Sequence, residues 1–196
     1  MSKHRTSYQR YSAANVPNLG KTSLGTAAAI IFSILFITFF NGAPALSLRN
    51  NPPIEGVEFY TGLSRKHVDG NIHYDMNPPV GGPHNPVPQN CGIYTHAIAN
   101  NHAVHSLEHG AVWITYDPSL PKKEVAKLES LVKPYKYTLL SPYQSNLLDT
   151  PIVAVAWGIR LELQDANDPR LPRFIQTYVQ GPQTPEPGER CIGGVS

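Results

Sequence analysis

Asn100-Asn101-His102-Ala103-Val104-His105-Ser106-Leu107-Glu108-His109-Gly110-Ala111-Val112-Trp113-Ile114-Thr115-Tyr116-Asp117 is the stretch whose reading decides the fold of this chain. Its second half, Val112 to Tyr116, is a β-branched and aromatic run of the kind that forms a buried strand. Its first half crowds three histidines and a glutamate in front of Gly110, which breaks the chain direction before the strand. If 102–109 is helical, steps of about 100° bring His102, His105 and His109 within about 60° of one another, on one face. If it is extended, only His105 and His109 share a face.

Downstream, Pro121 stands where the first turn of a helix tolerates it, and Val125, Leu128, Leu131 and Val132 recur at helical spacing until Pro134. Tyr137 to Leu140 reads as a strand, and Ile152 to Trp157 as a strand buried on both faces. Ile159, Leu161 and Leu163 alternate with Arg160 and Glu162, which predicts a strand with one wet face. Asp168-Pro169 opens a second helix with Leu171, Phe174, Ile175 and Tyr178 on one stripe, and Gly181 closes it. The last fifteen residues, rich in Pro and Gly, read as a surface strap. The order strand, helix, strand, strand, helix points to an α+β domain, a small mixed or antiparallel sheet with its helices packed on one face.

Upstream, Val57, Phe59 and Tyr60 begin the domain, and Ile72-His73-Tyr74 reads as a short strand. From Pro78 to Pro88 the prolines and glycines forbid a buried helix or a central strand. Residues 44–56 read as a Pro-rich stalk. Residues 24–40 are apolar or small and uncharged, and the run continues through 43 before Pro44, close to the roughly 20 residues that cross a bilayer. This segment, 24–43, is expected to be one N-terminal transmembrane helix, with the lipid bilayer as its partner. Residues 1–23 carry Lys3, Arg5, Arg10 and Lys21 and no acid, so the positive-inside bias makes them a cytoplasmic tail and puts 57–196 outside the cytoplasm. A cleaved signal peptide is the competing reading, because Ala43-Pro44-Ala45 has the small-x-small form of a processing site.

Of 16 basic and 14 acidic residues, the tail takes four of the bases, leaving 12 against 14 in the remainder. The domain therefore lacks the basic face that nucleic acid requires. Its two cysteines, Cys91 and Cys191, have one intramolecular pairing, and an oxidising compartment favours that bridge. Without a C-x-x-C spacing, a thiolate metal site or redox pair is the weaker alternative.

Seven of the eight histidines lie beyond the apolar segment, and His84, His96, His102, His105 and His109 fall within 26 residues. Imidazoles and a carboxylate at this density suit copper or zinc. The candidate metal residues are His105 and His109, with His84 and His102 as helpers and Glu108 as a ligand or as an acceptor for an imidazole N–H. The contrary reading is a metal-free polar cluster, each ring bonded to a backbone carbonyl, in a structural or interaction module of a membrane complex. A third reading takes His105-Ser-Leu-Glu-His109 as the H-x-x-E-H pattern of a zinc hydrolase with Glu186 or Glu189 as a third ligand. Gly110 argues against it, since that motif sits on a long helix. No catalytic residue is assigned, and a binding or accessory role is favoured over an enzyme.

Gly82-Pro83-His84, Asn90-Cys91-Gly92-Ile93-Tyr94, Val104 to Trp113, Ala156-Trp157-Gly158 and Gly181 to Gly188 together resemble a bacterial family of membrane-anchored external domains catalogued as a domain of unknown function. The resemblance covers roughly residues 50–196. It implies an anchor followed by an external domain. It also implies that His84, His105, Glu108, His109 and both cysteines are the family's candidates for a site and a bridge, with no reaction attached.

Overall fold

The computed structural model describes residues 9–12 and 53–196. The segment 24–43, the tail around Gln9–Ser12 and most of the stalk lie outside them. Among the described residues no helix is long and apolar enough to cross a membrane.

Six strands of the domain form a mixed sheet: β2 (Glu58–Thr61), β3 (Gly92–Ile93), β4 (Val112–Tyr116), β5 (Thr138–Pro142), β6 (Ile152–Ala156) and β7 (Ile159–Leu163). A seventh, β1 (Gln9–Ser12), adds at one edge, and the spatial order is β1-β2-β7-β6-β4-β5-β3. Pairing is antiparallel from β1 through β4, whereas β4 with β5 and β5 with β3 are parallel. The parallel step follows from the helix α2 (Lys122–Val132), which carries the chain back to the same end of the sheet between β4 and β5.

Side chains alternate across this sheet and build two cores. On one face Val112, Ile114, Leu140, Ile152, Ala154, Leu161 and Leu163 meet Leu128 and Val132 of α2 and Leu171, Phe174 and Ile175 of α3 (Arg170–Tyr178). On the other, Trp113, Leu139, Val153 and Val155 meet Ala103, Val104 and Leu107 of α1 (Asn100–Glu108), with Tyr74 and Val80 of the proline-rich loop.

The domain is therefore α+β, but its helices do not share one face, because α1 covers the side opposite α2 and α3. Three further expectations change. Ile72-His73-Tyr74 is not a strand; Tyr74 instead turns into the second core and donates its hydroxyl proton to Pro83 O at 2.7 Å. Arg160 is not on a wet face. The loop folds over it, and its guanidinium donates to Asn77 O and Glu162. At the end of the stalk, Ile54 is buried in the first core.

Candidate metal centre

The stretch 100–109 is helical as far as Glu108, and Ala103 to Glu108 are all buried. Nine residues with no side-chain cap are too few for a helix to stand on propensity alone, so packing holds α1 in place. It ends abruptly. His109, Gly110 and Ala111 donate their N–H groups back to the carbonyls of His105, Leu107 and Ser106, and Gly110 takes a left-handed φ of +92°. A side chain at Gly110 would run into Gln180 and Thr184, so the turn requires glycine on two grounds.

The proline-rich loop is laid along α1 by backbone bonds from Asn85 N to Asn101 O and from Gln89 N to His102 O. Ser106 Oγ adds a bond to Gln89 O at 2.6 Å. This contact places His84 beside His105 and Glu108. The segment 66–68 is joined to the loop in turn, Val68 N to His84 O at 2.7 Å and His84 N to Lys66 O at 3.0 Å, and so carries His67 to the same point.

His67, His84, His105 and Glu108 thus each offer a ligand atom within 4.8 Å of the others. This group can hold a metal ion. His84 and Glu108 are 0% and 1% exposed, and His67 is the open side at 49%. The Nδ1–H of His84 donates to Gly82 O at 2.8 Å and that of His105 to Asn85 O at 2.7 Å. A proton fixed on Nδ1 leaves Nε2 a bare lone pair, the form in which imidazole binds a metal. His84 Nε2 is buried with no hydrogen-bond partner of its own, and the atom facing it at 2.9 Å is Glu108 Oε2, another acceptor. Two acceptors at that distance need a cation, either a proton on the ring or a metal. Arg65 Nε donates to the other carboxylate oxygen, Glu108 Oε1, at 2.6 Å and fixes its orientation.

Burial favours a protonated Glu108, but with a proton on His84 Nε2 the bonds from His84 and Arg65 outweigh it and draw the carboxyl down to about 2. Burial lowers the His105 imidazole to about 4, against the Asn85 bond and with help from the neighbouring rings. Both groups are then in their ligating forms at neutral pH.

The remaining candidates fall differently. His109 Nε2 lies 3.0 Å from His105 Nε2, next to the group rather than within it. His102 shares the helix face, yet its Nδ1 bonds Val87 O at 2.5 Å and the ring stays with the loop. Cys91 and Cys191 sit at disulfide distance with Cα atoms 5.3 Å apart. Their pairing brings the terminal strap over the site. His67 and Arg65 escaped sequence reasoning because they lie in a segment without periodicity, and only the surplus of histidines hinted at the first of them.

Fold and site together define an α+β framework whose second core is interrupted by a polar group that could hold a metal ion. The chain belongs to DUF3105, a family of proteins of unknown function, whose model matches residues 66–193. No curated protein and no solved structure matches the chain.

Proposed function

We propose that this domain binds one copper or zinc ion through His67, His84, His105 and Glu108, and serves as a metal-handling or accessory module. It would be held outside the cytoplasm by a membrane helix at 24–43, where a membrane-protein partner could meet it. One observation carries the metal reading: the Nδ1 protons of His84 and His105 are committed to backbone carbonyls, which leaves Nε2 as the lone pair each ring offers, and the group's ligand atoms lie within 4.8 Å of one another. Three imidazoles and one carboxylate form a donor set that zinc and copper accept. With bonds of about 2.0–2.1 Å, a tetrahedral ion needs ligand atoms about 3.3 Å apart. The His84–Glu108 and His67–Glu108 separations of 2.9 and 3.8 Å bracket that value.

A metal-free module is the alternative, supported by the fact that Arg65 and a protonated His84 would balance the charge of Glu108. The zinc hydrolase has less support, because Glu108 is engaged by Arg65 and His84 and is not free to activate water.

The test is metal analysis of the full chain, purified in detergent and equilibrated with copper(II) or zinc(II). About one equivalent is expected in the wild type and a large loss in His84→Ala and His105→Ala. Less than about 0.2 equivalents in the wild type would reject both metal readings. For Glu108→Gln, weakened metal binding supports the binding site, whereas full metal with abolished hydrolysis would favour the hydrolase.

A further inference from the structure

The strap that crosses the site repeats its chemistry. Glu186 N donates to Glu108 O at 3.1 Å, which places the Glu186 carboxylate next to the end of α1. Arg65 then holds both carboxylates through their Oε1 atoms, Glu108 with Nε and Glu186 with Nη2. Each Oε2 is left turned toward an imidazole Nε2, that of Glu108 toward His84 at 2.9 Å and that of Glu186 toward His109 at 3.7 Å. His109 is prepared in the same way as the other two rings, since its Nδ1–H donates to Arg190 O at 2.8 Å and Nε2 keeps its lone pair. Between the two carboxylate–imidazole pairs stands His105, which offers a ligand atom within 4.8 Å of the first set and whose Nε2 lies 3.0 Å from His109 Nε2. Two lone pairs facing at 3.0 Å repel unless a proton on one ring makes the contact a hydrogen bond or a metal ion lies where both can reach it.

We propose that His105, His109 and Glu186 form a second metal position that shares the His105 lone pair with the first, so that a single ion passes between the two. The proposal rests on the metal reading above. Because His105 has its Nδ1 proton bound to Asn85 O, it has one lone pair and can serve one ion at a time. The arrangement is thus a pair of alternating positions, not a dinuclear centre. Both positions reach solvent: His67, stacked on His105 at 4.8 Å, is 49% exposed beside the first, and Glu186 is 37% exposed beside the second. A cation can therefore arrive or leave at either end and move between the two on His105.

Zinc(II) titration of the full chain in detergent, followed by zinc transfer to a chromophoric chelator under stopped flow, tests this. The wild type should bind one ion. His109→Ala and Glu186→Gln should retain close to one ion at equilibrium yet lose one of its two exits and release it measurably more slowly, by about twofold or more. His84→Ala should hold an ion more weakly, and His84→Ala/His109→Ala should hold none. Glu186→Gln is a substitution on the exposed strap, so its result does not depend on whether His109→Ala folds. Two ions in the wild type, or wild-type release rates in both single variants, would overturn the second position while leaving the metal reading intact. No zinc in the wild type removes the metal reading, and the second position with it.

Discussion

The carbonyl oxygens of Gly82, Asn85 and Arg190 each take the Nδ1 proton of one imidazole, so three residues that play no chemical part determine how three histidines present themselves. Arg65 does the same for the carboxylates. Arg65→Met, which keeps much of the stem but not the bond to Glu108, should lower zinc affinity roughly 10- to 100-fold in a competition titration. An unchanged affinity would show that Glu108 is oriented by something else. Acid should weaken the fold through the same residues. In the unfolded chain His105 takes a proton near 6.5, but in the fold it resists until about 4, so between those values the unfolded state holds more protons and stability falls as pH drops. Glu108 contributes stability above 4.5 that is lost as pH falls toward about 2, and the two effects have the same sign. The His105 part amounts to about 3 kcal/mol at most. Urea unfolding in the presence of chelator should therefore give a midpoint that declines from pH 6.5 to 4, with the decline flattened in His105→Gln. A midpoint that stays level or rises on acidification would contradict the assignment.

At the level of elements, the hairpin between β6 and β7 depends on Gly158. Its φ is +71°, its N–H donates to Val80 O, its carbonyl accepts from Tyr60 N, and an added Cβ would sit 2.7 Å from Tyr60 O. Gly158→Ala should cost about 1–3 kcal/mol from backbone strain, before the clash with Tyr60 is counted. Thermal unfolding measures this, and a loss below a few tenths would mean that the turn relaxes freely. The strands and helices that pack against the first core were legible because their apolar residues repeat with clean periods; α2, β7 and α3 come out close to the residues expected. The second core was not legible in the same way. Its cover is a loop of prolines and a nine-residue helix, neither of which shows amphipathic spacing, so nothing in the sequence indicated that α1 would lie opposite the other helices. The site suffers from the same ambiguity. Whether His102 to His109 is helical turns on burial against Val153 and Val155, which are long-range contacts. The placement of His67 turns on a two-bond bridge to His84 between segments 17 residues apart. His84, His105 and Glu108 were identifiable by residue type and density, whereas the partner that completes the group was not.

Across the whole molecule, the strap and the edge strand determine how the domain can be mounted. Pairing of Cys91 with Cys191 closes a loop of 100 residues around the site. On the chain-entropy account, Cys91→Ser/Cys191→Ser should lose up to about 4.7 kcal/mol, and this would be seen as an earlier denaturant midpoint. The edge strand makes a sharper statement. In the structure, β1 pairs along β2 from Gln9–Thr61 to Ser12–Glu58. If 24–43 spans the bilayer with a cytoplasmic tail, Gln9–Ser12 lies on the far side of the membrane from the sheet. The two arrangements exclude each other. An anchored topology leaves β2 as the edge and predicts that deleting residues 1–23 leaves the unfolding midpoint of the domain unchanged. It also predicts that a tag at the N-terminus is cleaved by external protease only after the membrane is permeabilised. A tag cleaved in intact cells, together with a destabilised domain on deletion, would instead place the tail beside β2 and remove the cytoplasmic tail from the reading of this chain. Edge strands invite pairing with other chains, so in the anchored case the exposed backbone of Glu58–Thr61 is left for another chain to cover.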